Sequence, residues 1–123
     1  MMHSGVDLIE IERIDIAILR YGERFFDRFF THQELIDAGG RTPALAARFA
    51  AKEAVSKALG TGIGEVGWKD IEIVKGPGRQ PVLQLHGRAR ELSDEMGIHV
   101  WAVSLSHTHE HAVAIAVAYS GGS

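Results

Sequence analysis

Near the end of the chain, Val113, Ile115, Val117 and Tyr119 alternate with Ala112, Ala114, Ala116 and Ala118. Period-two alternation is the mark of a strand, and here both faces are apolar, so both should be covered. The large residues are expected to line a core, and the alanine face to admit a helix or another subunit. Ile98 to Ser106 reads as the preceding strand of a hairpin that turns around His107 to Glu110. At the other end, Val6, Leu8, Ile9 and Ile11 suggest a short strand. The spacing becomes helical from Ile14 to Phe30, with a break at Gly22, because glycine costs about 1 kcal/mol inside a helix.

Thr31-His32-Gln33-Glu34 has the form of a capping box and starts a short helix ending near Gly39-Gly40. Thr42 is a candidate N-cap and Pro43 suits the first helical position, so the spacing predicts a long helix from Pro43 to Leu59, stopped by Gly60. Strands follow at Trp68 to Val74 and Val82 to Leu85, around a turn at Gly76-Pro77-Gly78. An amphipathic helix is expected between Gly87 and Gly97. Strands and helices do not alternate regularly, which favours an α+β fold over a βαβ series.

Composition narrows the possibilities. The 123 residues fit one domain, with 46% hydrophobic and 24% charged positions typical of a globular chain. There is no cysteine, which excludes disulfides, thiolate zinc sites and thiol nucleophiles. The formal net charge of -3 argues against nucleic-acid binding by the molecule as a whole. The first residues have neither a basic nor an apolar signal-peptide region, and the apolar run Ala112 to Tyr119 is too short to span a membrane as a helix. The cytoplasm is the expected compartment.

The candidate chemistry begins in the long helix, where Glu53 and Lys57 lie one turn apart. Such a spacing supports a surface ion pair worth about 0.2–0.5 kcal/mol. However, Ala46, Ala50, Ala54 and Ala58 bracket the pair, and a carboxylate beside a buried face needs a partner. Asp7 lies within the apolar first strand, where alternation also permits a solvent-facing position. Asp7 and Glu53 together could supply two oxygens to one Mg²⁺, an ion that takes few protein carboxylates and fills its shell with water and phosphate oxygens. The glycine run Gly60-Thr61-Gly62-Ile63-Gly64 closes a helix, whereas phosphate-binding glycine loops open one. His107, His109 and His111 would share a face on a continuous strand and could chelate zinc, but the expected turn would spread them. Arg13, Arg20, Arg24 and Arg28 recur at intervals of seven, four and four. They form either a solvated helix face or a docking stripe for an acidic helix.

Three separated segments carry a resemblance. Gly5-Val6-Asp7-Leu8-Ile9-Glu10-Ile11-Glu12-Arg13 resembles the first motif of the holo-[acyl-carrier-protein] synthases. The segment from Arg48 to Gly60, reading Arg-Phe-Ala-Ala-Lys-Glu-Ala-Val-Ser-Lys-Ala-Leu-Gly, resembles their second. Ser104-Leu105-Ser106-His107-Thr108, followed by Ala112-Val113-Ala114, resembles their third. The resemblance implies one 4′-phosphopantetheinyl transferase domain over residues 1–123, an antiparallel sheet packed against a long helix, and a homotrimer with active sites between subunits. It implies transfer of phosphopantetheine from coenzyme A to a serine of acyl carrier protein, releasing 3′,5′-ADP. Asp7 and Glu53 would be Mg²⁺ ligands, and Lys57 would meet the diphosphate. Arg48, His107 and Thr108 would contact coenzyme A, and Arg13, Arg20, Arg24 and Arg28 would dock the carrier protein. The family often has Gly-Lys-Pro or Gly-Arg-Pro where this chain reads Gly78-Arg79-Gln80-Pro81, so no coenzyme A contact is carried over to Arg79. Two other readings of the residues are a non-catalytic subunit binding coenzyme A or a carrier domain, and a zinc hydrolase built on His107, His109 and His111.

Overall fold

The structure, a computed structural model, describes residues 1–121. The chain runs β1 (Met2–Glu10), α1 (Ile11–Tyr21), α2 (Glu23–Phe29), α3 (His32–Ala38) and α4 (Thr42–Ala58). A single 3₁₀ turn, Trp68–Asp70, leads into β2 (Ile71–Lys75), followed by β3 (Pro81–Leu85), α5 (Gly87–Glu95), β4 (Ile98–His107) and β5 (His111–Ser120). The strands form a three-stranded antiparallel sheet in the order β1-β5-β4 and a separate antiparallel β2-β3 hairpin. This is the α+β arrangement expected, with α4 lying across the larger sheet. No helix among the described residues is long and apolar enough to cross a membrane.

Several boundaries differ from expectation. Trp68 to Asp70 turn before the strand begins, because the Asp70 carboxylate accepts from the Gly67 amide and closes a tight turn there. Arg41, not Thr42, is the N-cap of α4, and it makes no side-chain cap bond. The Gly22 break is real: its φ of 55° lies in the left-handed region and separates α1 from α2. The capping box also forms as read, with Glu34 N donating to Thr31 Oγ1 and Thr31 N donating to Glu34 Oε1.

The alanine face of the last strand admits a helix as expected, but its large residues do not line the core. Ala112, Ala114, Ala116 and Ala118 are the buried side, packed with Ala50, Ala54 and Ala58 of α4 into the core. Small side chains on both partners allow helix and sheet to approach closely. The large side lies open: Ile115 is 44% exposed and Tyr119 45%. The register aligns Val6 with Ile115 and Leu8 with Val113, and Val6 and Leu8 are exposed too. The outer face of the sheet is therefore an apolar surface, and the core lies on the alanine side.

The close approach is strictest at Gly5, on the helix-facing side of β1. A Cβ there would overlap the Ala54 carbonyl of α4. Glycine is required because backbone meets backbone. The contact sets Asp7, two residues on and on the same face, against the next turn of α4.

Candidate active site

Three of the residues singled out in the sequence converge at this contact. Lys57 Nζ donates to Asp7 Oδ1 at 3.2 Å and to the Val6 carbonyl at 2.9 Å. Glu53 sits one helical turn before Lys57 and close enough for the charge of Asp7 to act on it. Burial pushes the Glu53 carboxyl above its ordinary 4.5, the Asp7 charge pushes it further, and Lys57 opposes both. The ion pair thus joins Lys57 to Asp7 across the helix–strand contact rather than to Glu53 along the helix. Asp7 faces the helix side, with its side chain 21% exposed. Two carboxylates held together at some cost, open to solvent on one side, fit a hard divalent cation.

Arg48 and His107 meet elsewhere. They line an open cleft of about 480 Å³ together with Arg41, Pro43, Leu105 and Ser106. Arg48 is 7% exposed and donates through Nε to the Ile73 carbonyl at 3.2 Å and through Nη1 to Ala44 at 3.1 Å. Burial lowers its pKa, opposed by Glu34 and Asp37. The His107 ring donates through Nδ1 to the Thr108 carbonyl at 3.3 Å. Asp7, Glu53 and Lys57 do not line this cleft. Asp7 is on β1 and His107 on β4, with β5 between them, which separates their backbones by about 10 Å. One chain therefore presents a carboxylate–lysine cluster and a cationic cleft as two separate groups. Arg41 joins the second group without having been singled out in the sequence; its only signal there is its position just before the long helix.

Thr108 serves the β4–β5 turn, its Oγ1 accepting from the amides of Glu110 and His111. His107 and His111 flank this turn and His109 lies within it. Among the described residues no group of three or more histidine or acidic side chains is placed to hold a metal ion, so the zinc arrangement of His107, His109 and His111 is not formed. Arg79 occupies the β2–β3 turn at φ 67° and does not line the His107 cleft.

A buried network fixes α4 from its other side. Lys52 is fully buried and donates to Glu34 Oε1 at 2.7 Å, to the Trp68 carbonyl at 2.9 Å and to the Ile71 carbonyl at 2.5 Å. Burial lowers the Lys52 pKa, while Glu34 opposes the shift. Glu34 Oε2 accepts from the Ile73 amide at 2.9 Å. All three ammonium protons are used, so the charge is satisfied in place. The network ties α3, α4 and β2 together directly behind Glu53.

The arginines fall on two helices. Arg13 borders a groove floored by Ile9, Ala17, Phe25 and Phe49, while Arg24 and Arg28 border an adjoining one with Tyr21 and Phe29. Arg20 lines neither. None of the four is held in a salt bridge among the described residues.

A carboxylate–lysine cluster and a separate cationic cleft are both groups suited to binding phosphates or a divalent cation. Residues 4–116 match the 4′-phosphopantetheinyl transferase superfamily. The holo-[acyl-carrier-protein] synthase of Herpetosiphon aurantiacus is 44% identical over 115 residues, covering 88% of this chain and 91% of that protein. That of Moorella thermoacetica is 47% identical over 110 residues, covering 87% and 85%. The crystal structure of Helicobacter pylori holo-[acyl-carrier-protein] synthase in complex with coenzyme A superimposes with a TM-score of 0.87 at 34% identity, covering 94% of this chain and 99% of that one. The chain belongs to the 4′-phosphopantetheinyl transferase superfamily and, within it, to the holo-[acyl-carrier-protein] synthases.

Proposed function

We propose that residues 1–123 act as one transferase domain that moves 4′-phosphopantetheine from coenzyme A to a serine of apo acyl carrier protein. The observation that carries this reading is the meeting of Asp7, Glu53 and Lys57 across the Gly5–Ala54 contact, in a chain of this family. The serine oxygen attacks the β-phosphorus of coenzyme A. The bond from that phosphorus to the bridging oxygen breaks, and 3′,5′-ADP leaves with that oxygen. Asp7 and Glu53 would hold Mg²⁺, which when bound neutralises diphosphate charge. Lys57 places positive charge where the leaving group gains negative charge. Glu53 is the proposed acceptor of the serine proton.

Arg48, Arg41 and His107 suit the remaining phosphates of coenzyme A. Their separation from the carboxylates on one chain favours a site completed by a second copy, and the open apolar sheet face supports assembly as a homotrimer. The grooves bordered by Arg13, Arg24 and Arg28 suit an acidic helix of the carrier protein. The substrates make the cytoplasm the proposed place of action.

Intact-mass measurement of apo carrier protein after incubation with coenzyme A and Mg²⁺ tests the reaction. A gain of one phosphopantetheine is expected with the wild-type protein and not with D7N or E53Q. Binding of coenzyme A without any mass gain would instead identify a non-catalytic subunit.

A further inference from the structure

We propose that Lys57 is an internal counter-ion for the Asp7 and Glu53 carboxylates, so that the divalent ion enters with the coenzyme A diphosphate and not before it. This rests on the reading of Asp7 and Glu53 as metal ligands. The Lys57 ammonium takes two oxygens of β1, Asp7 Oδ1 and the Val6 carbonyl. Glu53 lies one helical turn before Lys57 on α4. In the free protein the lysine therefore offsets the carboxylate repulsion that a metal would otherwise relieve.

A cation approaching Asp7 meets this ammonium, and must break its hydrogen bond or tolerate its charge. The Lys57 side chain is 52% exposed and so is free to move. A diphosphate gives the ammonium a new anionic partner and releases Asp7. Ion and diphosphate then assist each other's binding, and the assistance is reciprocal. Lys57 acts here as a positioning residue that sets the order of loading, separately from any contact it makes with the leaving group.

The test is Mn²⁺ affinity of the free protein, without coenzyme A, for wild-type, K57M, K57R and D7N/K57M, each checked for an unchanged circular dichroism spectrum. K57M should bind Mn²⁺ about five- to tenfold more tightly than wild-type, since an exposed ion pair and a like-charge repulsion are both removed. K57R, which keeps the charge, should stay within about twofold of wild-type. The gain should vanish in D7N/K57M. Equal or weaker binding by K57M overturns the proposal. A separate arm measures D7N with coenzyme A present. If D7N leaves Mn²⁺ affinity there unchanged, the carboxylate site itself is misassigned. If D7N weakens it while K57M gains nothing in the free protein, only the counter-ion role is lost.

Discussion

At the scale of single residues, Glu53 shows how a functional group can work against stability. Its carboxyl is held above 4.5 by burial and by Asp7. Between 4.5 and that raised value the folded chain holds more protons than the unfolded one. The residue's contribution to stability is therefore fully present below pH 4.5 and is lost as pH rises through the raised value. E53Q should melt at a higher temperature than wild-type at pH 7, with the difference closing toward pH 4, while transfer activity falls by at least about a hundredfold. Thermal melts across pH, beside the mass assay, check both. Arg24 belongs to a different task. R24A should raise the KM for carrier protein several-fold, with a weaker salt dependence than wild-type, and leave the KM for coenzyme A nearly unchanged. Equal changes for the two substrates would remove it from the docking surface. Asp7, Glu53 and Lys57 could be singled out in the sequence as candidates because motif and chemistry pointed to the same positions. Lys52 was not: its three acceptors come from Glu34 and two backbone carbonyls 16 and 19 residues away, and no local spacing encodes such a set.

At the scale of elements, the site depends on how nearly α4 and β1 touch. The alanines of α4 and the glycine of β1 leave room only for backbone. G5A should destabilise the fold by about 3 kcal/mol, since the new methyl has no flexible neighbour to displace. Denaturant unfolding measures this, and a loss below about 1 kcal/mol would mean that β1 can shift away from the helix. Helix positions and caps were largely readable, because capping boxes and glycine stops are local signals. The faces of β5 were only half readable. Alternation shows that two faces differ, but which one receives the helix depends on the alanines of α4, more than fifty residues earlier. Size suggested that the bulky face would be the core; shape complementarity between two alanine surfaces decided otherwise.

At the scale of the molecule, the outer sheet face bearing Val6, Leu8, Ile115 and Tyr119 is an exposed apolar surface. I115D should yield a smaller species by sedimentation than wild-type, with transfer activity lost alongside the assembly. An unchanged sedimentation coefficient would direct attention to another surface. The separation of the Asp7 cluster from the His107 cleft reaches further, into genetics. If each active site draws one cluster from each of two neighbouring chains, D7N and H107A are each inactive alone and yet complement each other. Random co-assembly from equal amounts would leave roughly a quarter of the sites with both clusters intact. A cell carrying both defective alleles would then make holo carrier protein that neither allele supports by itself, whereas two alleles damaged in the same cluster would not.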